Sequence, residues 1–269
     1  MTASSQHTVV NSYKKKLTQV NTLLVEDDLL NAKLVSVLFS QNGLKLQIAA
    51  HGAEAIEKLK DKDYDILLMD MEMPVMNGYQ ATSIIRQVLK KNTPIIALTG
   101  HILRSEKEKC LAYGMNDYLA KPIDPELLFE SMYNLTCIKK NAVPRLSSQK
   151  NTIPVLMPNQ VCNMGYLVGA TRGNKKMMNN IVAVFFKETK KELTFLNEAI
   201  KKTNYPAISH VSHKIKSAFS ILGISVLEPV FNEMEQLSSV TSPIEKIEQL
   251  NRRVNIVFKQ AREEMKAMY

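Results

Sequence analysis

Asp70 closes an unbroken apolar run, Ile66-Leu67-Leu68-Met69, and is followed by Met71-Glu72-Met73-Pro74-Val75-Met76-Asn77-Gly78. A similar run, Thr22-Leu23-Leu24-Val25, ends in Glu26-Asp27-Asp28; another, Pro94 to Leu98, ends in Thr99; and Tyr118-Leu119-Ala120 leads into Lys121-Pro122. Carboxylates gathered from separate strand ends repel one another and are driven towards protonation unless a cation intervenes. A hard divalent cation held through oxygen ligands answers that repulsion, and Mg²⁺ keeps waters that a phosphate can displace. A threonine hydroxyl and a lysine ammonium supply a hydrogen bond and a point charge to the same anion. Glu26, Asp27, Asp70, Thr99 and Lys121 together therefore suit a carboxylate that accepts a phosphoryl group.

A second candidate has different chemistry. Residues 213–223 read His-Lys-Ile-Lys-Ser-Ala-Phe-Ser-Ile-Leu-Gly. Ile208, Val211, Ile215, Phe219 and Leu222 recur at spacings of three, four, four and three, the stripe of a helix facing a core. His213 lies two residues from both Val211 and Ile215, which predicts a solvent-facing side chain. Lys216, three residues on, shares that face and is within reach of anything attached to His213. His210 and Lys214 flank it. An imidazole nitrogen beside an ammonium suits a nitrogen-based phosphate acceptor, and equally an ordinary solvent-facing histidine on a basic helix.

Two kinds of element must position these groups. From residue 20 to 136 short apolar runs alternate with amphipathic segments: Leu29–Ser40, Ala53–Leu59, Gly78 towards Lys90, Arg104–Ala112 and Pro125–Tyr133. Five strands without internal alternation, separated by helices, predict a doubly wound parallel sheet covered on both faces. Ligands gather at the carboxyl ends of such strands, where all five candidate residues fall. From residue 164 onward glycine is scarce and the aliphatic stripes recur at three and four. Segments at about 175–202, 204–222, 226–237 and 244–265 predict an all-α antiparallel bundle. Residues 1–19 read as an N-terminal arm. Residues 137–163, with Pro144, Pro154, Pro158, four basic residues and no acidic one, read as a linker.

Composition narrows the class. The chain has 269 residues, 45% hydrophobic and 23% charged, which suits two globular domains. No stretch approaches the length of apolar sequence a bilayer requires, and the N-terminus lacks a signal-peptide core, so a cytoplasmic location is expected. Cys110, Cys137 and Cys162 show no metal-ligand spacing and read as reduced thiols. Residues 20–135 carry a net charge of −4 and residues 166–269 a net of +6, within a total of +9. An acidic half and a basic half can dock on each other or on similar partners. The positive excess would suit nucleic-acid binding, but no basic stripe on a helix-turn-helix or aromatic platform is visible, so nucleic acid is not an expected partner.

The first half, by its Glu26-Asp27, Asp70, Thr99 and Lys121-Pro122, resembles the receiver domain of two-component response regulators, with a flavodoxin-like five-stranded sheet. The resemblance implies that Asp70 becomes an acyl phosphate and that Asp27 and Asp70 ligate Mg²⁺. It implies that Glu26 acts partly through water and that the backbone carbonyl of Glu72 completes the ligands. It further implies that Thr99 and Lys121 hold the phosphoryl oxygens and that Tyr118 is the switch. Glu72 and His101 flank the path of a hydrolytic water and would set the lifetime of the phosphate. His213, Lys216, the small Ser217 and Gly223 resemble the histidine-phosphotransfer motif, although Ser217 stands where glycine is usual. That resemblance implies a phosphohistidine at His213 stabilised by Lys216. Expected partners are a sensor histidine kinase or other phosphohistidine donor and a downstream receiver domain. No nucleotide-binding kinase domain is visible, so ATP-dependent phosphorylation is not expected of the chain, whereas self-catalysed loss of phosphate from Asp70 is. The runner-up is an adaptor or phosphate sink in which Asp70 alone is phosphorylated.

Overall fold

The computed structural model describes residues 15–100, 104–138 and 161–268. The chain divides into two compact units, 1–150 and 151–269. His101 and the three prolines of the expected linker lie outside the described residues.

In the first unit the apolar runs become β1 (Asn21–Val25), β2 (Lys45–Ala49), β3 (Ile66–Asp70), β4 (Ile95–Thr99) and β5 (Asp117–Ala120). All pair in parallel, in the order β2-β1-β3-β4-β5. Helices α1 (Leu29–Gln41), α2 (Gly52–Asp61), α3 (Gly78–Gln87), α4 (Arg104–Ala112) and α5 (Pro125–Thr136) connect them. β3 and β4 are buried along their whole length, because side chains alternate between two covered faces. Leu23, Val25, Leu67, Met69, Ile95 and Ala97 pack with Ala55, Leu59, Ala81, Ile85 and Cys110 of α2, α3 and α4. The opposite phase, which includes Leu24, Leu68 and Leu98, is also fully buried. Phe39 of α1 and Phe129 of α5 meet with ring centroids 6.2 Å apart. Leu17, within the expected arm, is fully buried, and Lys16 Nζ donates to the Tyr133 hydroxyl at 3.3 Å.

The second unit contains α6 (Gly165–Thr171), α7 (Lys175–Lys201), α8 (Tyr205–Ile221), α9 (Glu228–Ser239) and α10 (Ile244–Met268), with a 3₁₀ turn at Ser225–Leu227. α7 packs on α8, α8 on α9, α9 on α10, and α10 back on α7. Short connections between successive neighbours make this an up-down bundle. Phe185 of α7, Phe219 of α8, Phe231 of α9 and Phe258 of α10 meet at its centre. The Phe185–Phe219 and Phe219–Phe231 centroids are 5.4 and 5.7 Å apart, spacings that add stabilisation to area burial. The last residues of the expected linker are pinned to this unit. The Glu264 carboxylate accepts from the Val161 and Cys162 amides at 2.8 and 3.1 Å, and Asn163 N donates to Leu222 O at 2.8 Å. Gly223, at φ +62°, makes room for that segment: a Cβ there would stand 2.4 Å from the Asn163 carbonyl oxygen.

Candidate functional site

Parallel pairing in register carries three strand ends to one edge of the sheet. Asp70 is opposite Leu98, and Thr99 is opposite Ala120. Backbone bonds continue past the strands: Met71 N donates to Leu98 O at 3.1 Å, and Lys121 N to Thr99 O at 2.8 Å. β1 adds Glu26 and Asp27 at the point where the strand order reverses, the crevice where open α/β sheets bind ligands. Glu26, Asp27 and Asp70 each offer an oxygen, and these oxygens lie within 4.8 Å of one another. Such a hard, all-oxygen donor set fits a divalent cation such as Mg²⁺ or Ca²⁺.

Lys121 enters the same cluster. Its Nζ stands 2.7 Å from Glu26 Oε2 and 2.8 Å from Asp70 Oδ2. Burial and the neighbouring Asp70 push Glu26 well above the usual carboxylate range, although Lys121 pulls it partly back. Burial alone would lower the Lys121 ammonium, but the Asp70 and Glu26 carboxylates outweigh it and hold it above its ordinary value. Three carboxylates against one ammonium leave negative charge to be neutralised.

Local structure fixes these side chains. Asp28 caps α1, its Oδ1 accepting from Asn31 N at 2.8 Å. Glu26 Oε1 accepts from Asp28 N at 3.3 Å and Asn31 Nδ2 at 3.2 Å, so Glu26 is gripped from both ends. Asn31 is a site residue the sequence reading missed; its signal is the Asp28-x-x-Asn31 spacing of a capped helix start. Glu72, exposed, donates its backbone N–H to Asp70 Oδ1 at 3.3 Å. Asn77 and Gln80 form a reciprocal capping box at the start of α3. A Cβ on Gly78 would come 2.4 Å from the Asp70 carbonyl oxygen, so only glycine lets α3 begin there. Thr99 is buried. Tyr118 is partly buried against the core shared by α2, α3 and α4, with Lys107 Nζ 5.3 Å from its ring centre.

The second candidate departs from the sequence reading. Ile208, Val211, Ile215, Phe219 and Leu222 are buried, as their spacing requires. His213, expected to face solvent, is only 9% exposed. The reason is that α9 packs on α8 and covers the face that carries His213. Glu235 and Asn232, three apart on α9, meet that face. Glu235 Oε1 lies 3.5 Å from His213 Nδ1 and 2.8 Å from Lys216 Nζ. Lys216 Nζ also donates to Glu235 Oε2 at 3.0 Å and to Asn232 Oδ1 at 3.1 Å. Burial would raise Glu235, but hydrogen bonds and charge from His213 and Lys216 prevail and hold it below the usual range. Lys214 pairs with Glu192 of α7 at 3.2 Å, and His210 and Ser217 are half-buried. Sequence reasoning missed Glu235 and Asn232, whose i, i+3 spacing on a separate helix marks a shared face but not what it faces.

Comparison with known proteins gives each unit a counterpart. The family model of the response regulator receiver domain matches residues 22–133, and that of the Hpt domain matches residues 180–266. Hybrid signal transduction histidine kinase I of Dictyostelium discoideum is 37% identical over 142 residues, covering 49% of this chain and 8% of that protein. The histidine-protein kinase BarA of Shigella flexneri is 25% identical over 232 residues, covering 86% of this chain and 25% of that protein. This chain therefore spans a quarter or less of the length of either relative. Among solved structures, a chain from the co-crystal of Saccharomyces cerevisiae Ypd1 with the receiver domain of Ssk1 is 29% identical. It covers 44% of this chain and 89% of its own, with a TM-score of 0.42. Among the described residues no helix is long and apolar enough to cross a membrane.

Proposed function

The chain belongs to the response regulator receiver family through one unit and to the Hpt family through the other, and we propose that it is a phosphorelay protein with two phosphate stations, Asp70 and His213. The observation that carries this reading is the presence in one chain of two buried, lysine-backed sites with different nucleophiles. At the first, an Asp70 carboxylate oxygen attacks the phosphorus of a phosphohistidine; an O–P bond forms, the N–P bond breaks, and the electron pair returns to the donor imidazole. Transfer proceeds through a loose, charge-spread transition state, so alignment and cationic stabilisation dominate. Lys121 offsets charge on the moving group, Thr99 donates a hydrogen bond to it, and Tyr118 responds to the occupied site. Asp27, Asp70 and the Glu72 carbonyl, with Glu26 partly through water, would hold a Mg²⁺ ion, and such an ion would supply the remaining neutralisation. At the second station His213 carries the phosphoryl group and Lys216 stabilises it.

The partners are a phosphohistidine donor such as a sensor histidine kinase and a downstream receiver domain, and the setting is the cytoplasm. Residues 20–136 form the receiver station, 164–269 the histidine station, and 137–163 join them. The covering of His213 by α9 favours one alternative, an adaptor or sink phosphorylated at Asp70 alone.

Phosphate labelling from a phosphorylated histidine kinase, followed by acid and base treatment of wild type, Asp70→Asn and His213→Gln, separates the two. An acyl phosphate is lost in base and phosphohistidine in acid. Base-labile label needing Asp70 together with acid-labile label needing His213 is the expected result. Label at Asp70 alone, with none on His213 from any phosphorylated receiver, would leave only the adaptor or sink.

A further inference from the structure

We infer that Asn31 determines which divalent cation the receiver cluster takes: by engaging one oxygen of Glu26, it favours Mg²⁺ over Ca²⁺. The inference rests on the reading of that cluster as a cation site. Three observations lead to it. Asn31 is buried at the start of α1, and its Nδ2 donates to Glu26 Oε1 at 3.2 Å. The Asp28 amide donates to the same oxygen at 3.3 Å. The other oxygen, Oε2, is turned towards Lys121, whose Nζ stands 2.7 Å from it and 2.8 Å from Asp70 Oδ2.

A carboxylate oxygen carries two lone pairs. At Oε1 one is engaged by a backbone N–H and the other by the Asn31 carboxamide. Glu26 therefore presents a single oxygen to the cluster, for an ion or for one of its waters. Asp70 is held in a similar way, its Oδ1 accepting from Glu72 N at 3.3 Å while Oδ2 faces Lys121. One oxygen per carboxylate suits Mg²⁺, which takes octahedral coordination and keeps several waters. Ca²⁺ takes about six to eight oxygens and draws them from carboxylates that chelate through both. Asn31 denies it that second oxygen at Glu26. The carboxamide is itself fixed, because the Asn31 backbone N–H is capped by Asp28 Oδ1 at 2.8 Å. It is also neutral, so it holds Glu26 without competing with a cation for negative charge, as a lysine or arginine in its place would. The Asp28 amide survives any substitution at position 31. Removing the Asn31 side chain therefore releases one lone pair of Oε1 and leaves Oε2 and Lys121 in place. The larger ion gains a ligand from that release, and Mg²⁺ does not.

The test uses the full, unphosphorylated chain, titrated separately with Mg²⁺ and with Ca²⁺ in a calorimeter. The quantity read is the ratio of the Ca²⁺ Kd to the Mg²⁺ Kd. In Asn31→Ala that ratio should fall about tenfold, the worth of one hydrogen bond to a charged group, and the fall should come from tighter Ca²⁺ binding. A ratio within about twofold of wild type, well short of that hydrogen bond, would overturn the inference. So would a raised ratio, or a fall that comes from weaker Mg²⁺ binding alone. If Asn31→Ala fails to fold by circular dichroism, Asn31→Ser, whose hydroxyl ends nearer the backbone than the carboxamide, decides by the same ratio. Cation binding undiminished in Asp27→Asn would instead contradict the reading of the cluster as the cation site.

Discussion

The two candidate sites solve opposite charge problems with the same residue types. In the receiver unit one ammonium, Lys121, faces the carboxylates of Glu26 and Asp70, with Asp27 beside them. In the helical unit one carboxylate, Glu235, faces the Lys216 ammonium and the His213 imidazole. The first cluster is short of positive charge and calls for a cation before an anionic phosphoryl group can settle there. The second is already balanced by protein groups, so a phosphoryl group can be received without a metal. The difference teaches that the nucleophile sets its surroundings: a carboxylate brings its own negative charge, whereas an imidazole turns cationic as it reacts.

The contrast can be broken at the lysines. Lys121→Met strands Glu26 and Asp70 without their buried partner and should destabilise the receiver unit by about 3–5 kcal/mol in metal-free buffer, measured by calorimetry. A loss under about 1 kcal/mol would show that the pair is not what holds the cluster. In the wild type, Mg²⁺ at a hundredfold excess over its Kd should stabilise the receiver unit by about 2.7 kcal/mol and leave the helical unit unmoved. Equal shifts in both would remove the asymmetry. Lys216→Met should cost the helical unit only about 1–2 kcal/mol, since His213 remains beside Glu235.

The smallest effect has a sign that differs between the sites. Glu235 titrates below its ordinary value of 4.5 when folded, so its stabilisation is present above that value and is lost as pH falls through the depressed one. Glu26 titrates above 4.5 when folded, so metal-free receiver stability should decline as pH rises from 4.5 through the raised value. Denaturation of each unit followed from pH 3 to pH 7, an interval chosen around the ordinary carboxylate range, should give slopes of opposite sign. Glu235→Gln should flatten the acid limb of the helical unit.

Much of the receiver cluster was legible in the sequence because its geometry follows from a simple rule. Parallel strands buried on both faces read as apolar runs, and register then carries Asp70, Thr99 and Lys121 to one edge. What stayed hidden there is local: Asn31 bonds Glu26 through a side chain that reads only as part of a helix start. The bundle was legible in its helices, although α6, short and bracketed by Gly165 and Gly173, escaped notice. The exposure of His213 was misread for a physical reason. Periodicity along α8 finds the stripe against the aromatic core, but a helix between two neighbours is covered on more than one face. The second cover is made by polar residues, Asn232 and Glu235, which no hydrophobic pattern marks.

The central claim is that both stations carry phosphate within one chain. ³¹P NMR of the full-length protein, recorded as a phosphorylated histidine kinase is added with Mg²⁺, tests it directly. The account predicts two resonances, an acyl phosphate that vanishes in Asp70→Asn and a phosphoramidate that vanishes in His213→Gln. A single acyl phosphate resonance, unchanged in His213→Gln and joined by no phosphoramidate when a phosphorylated receiver domain is supplied, would contradict it.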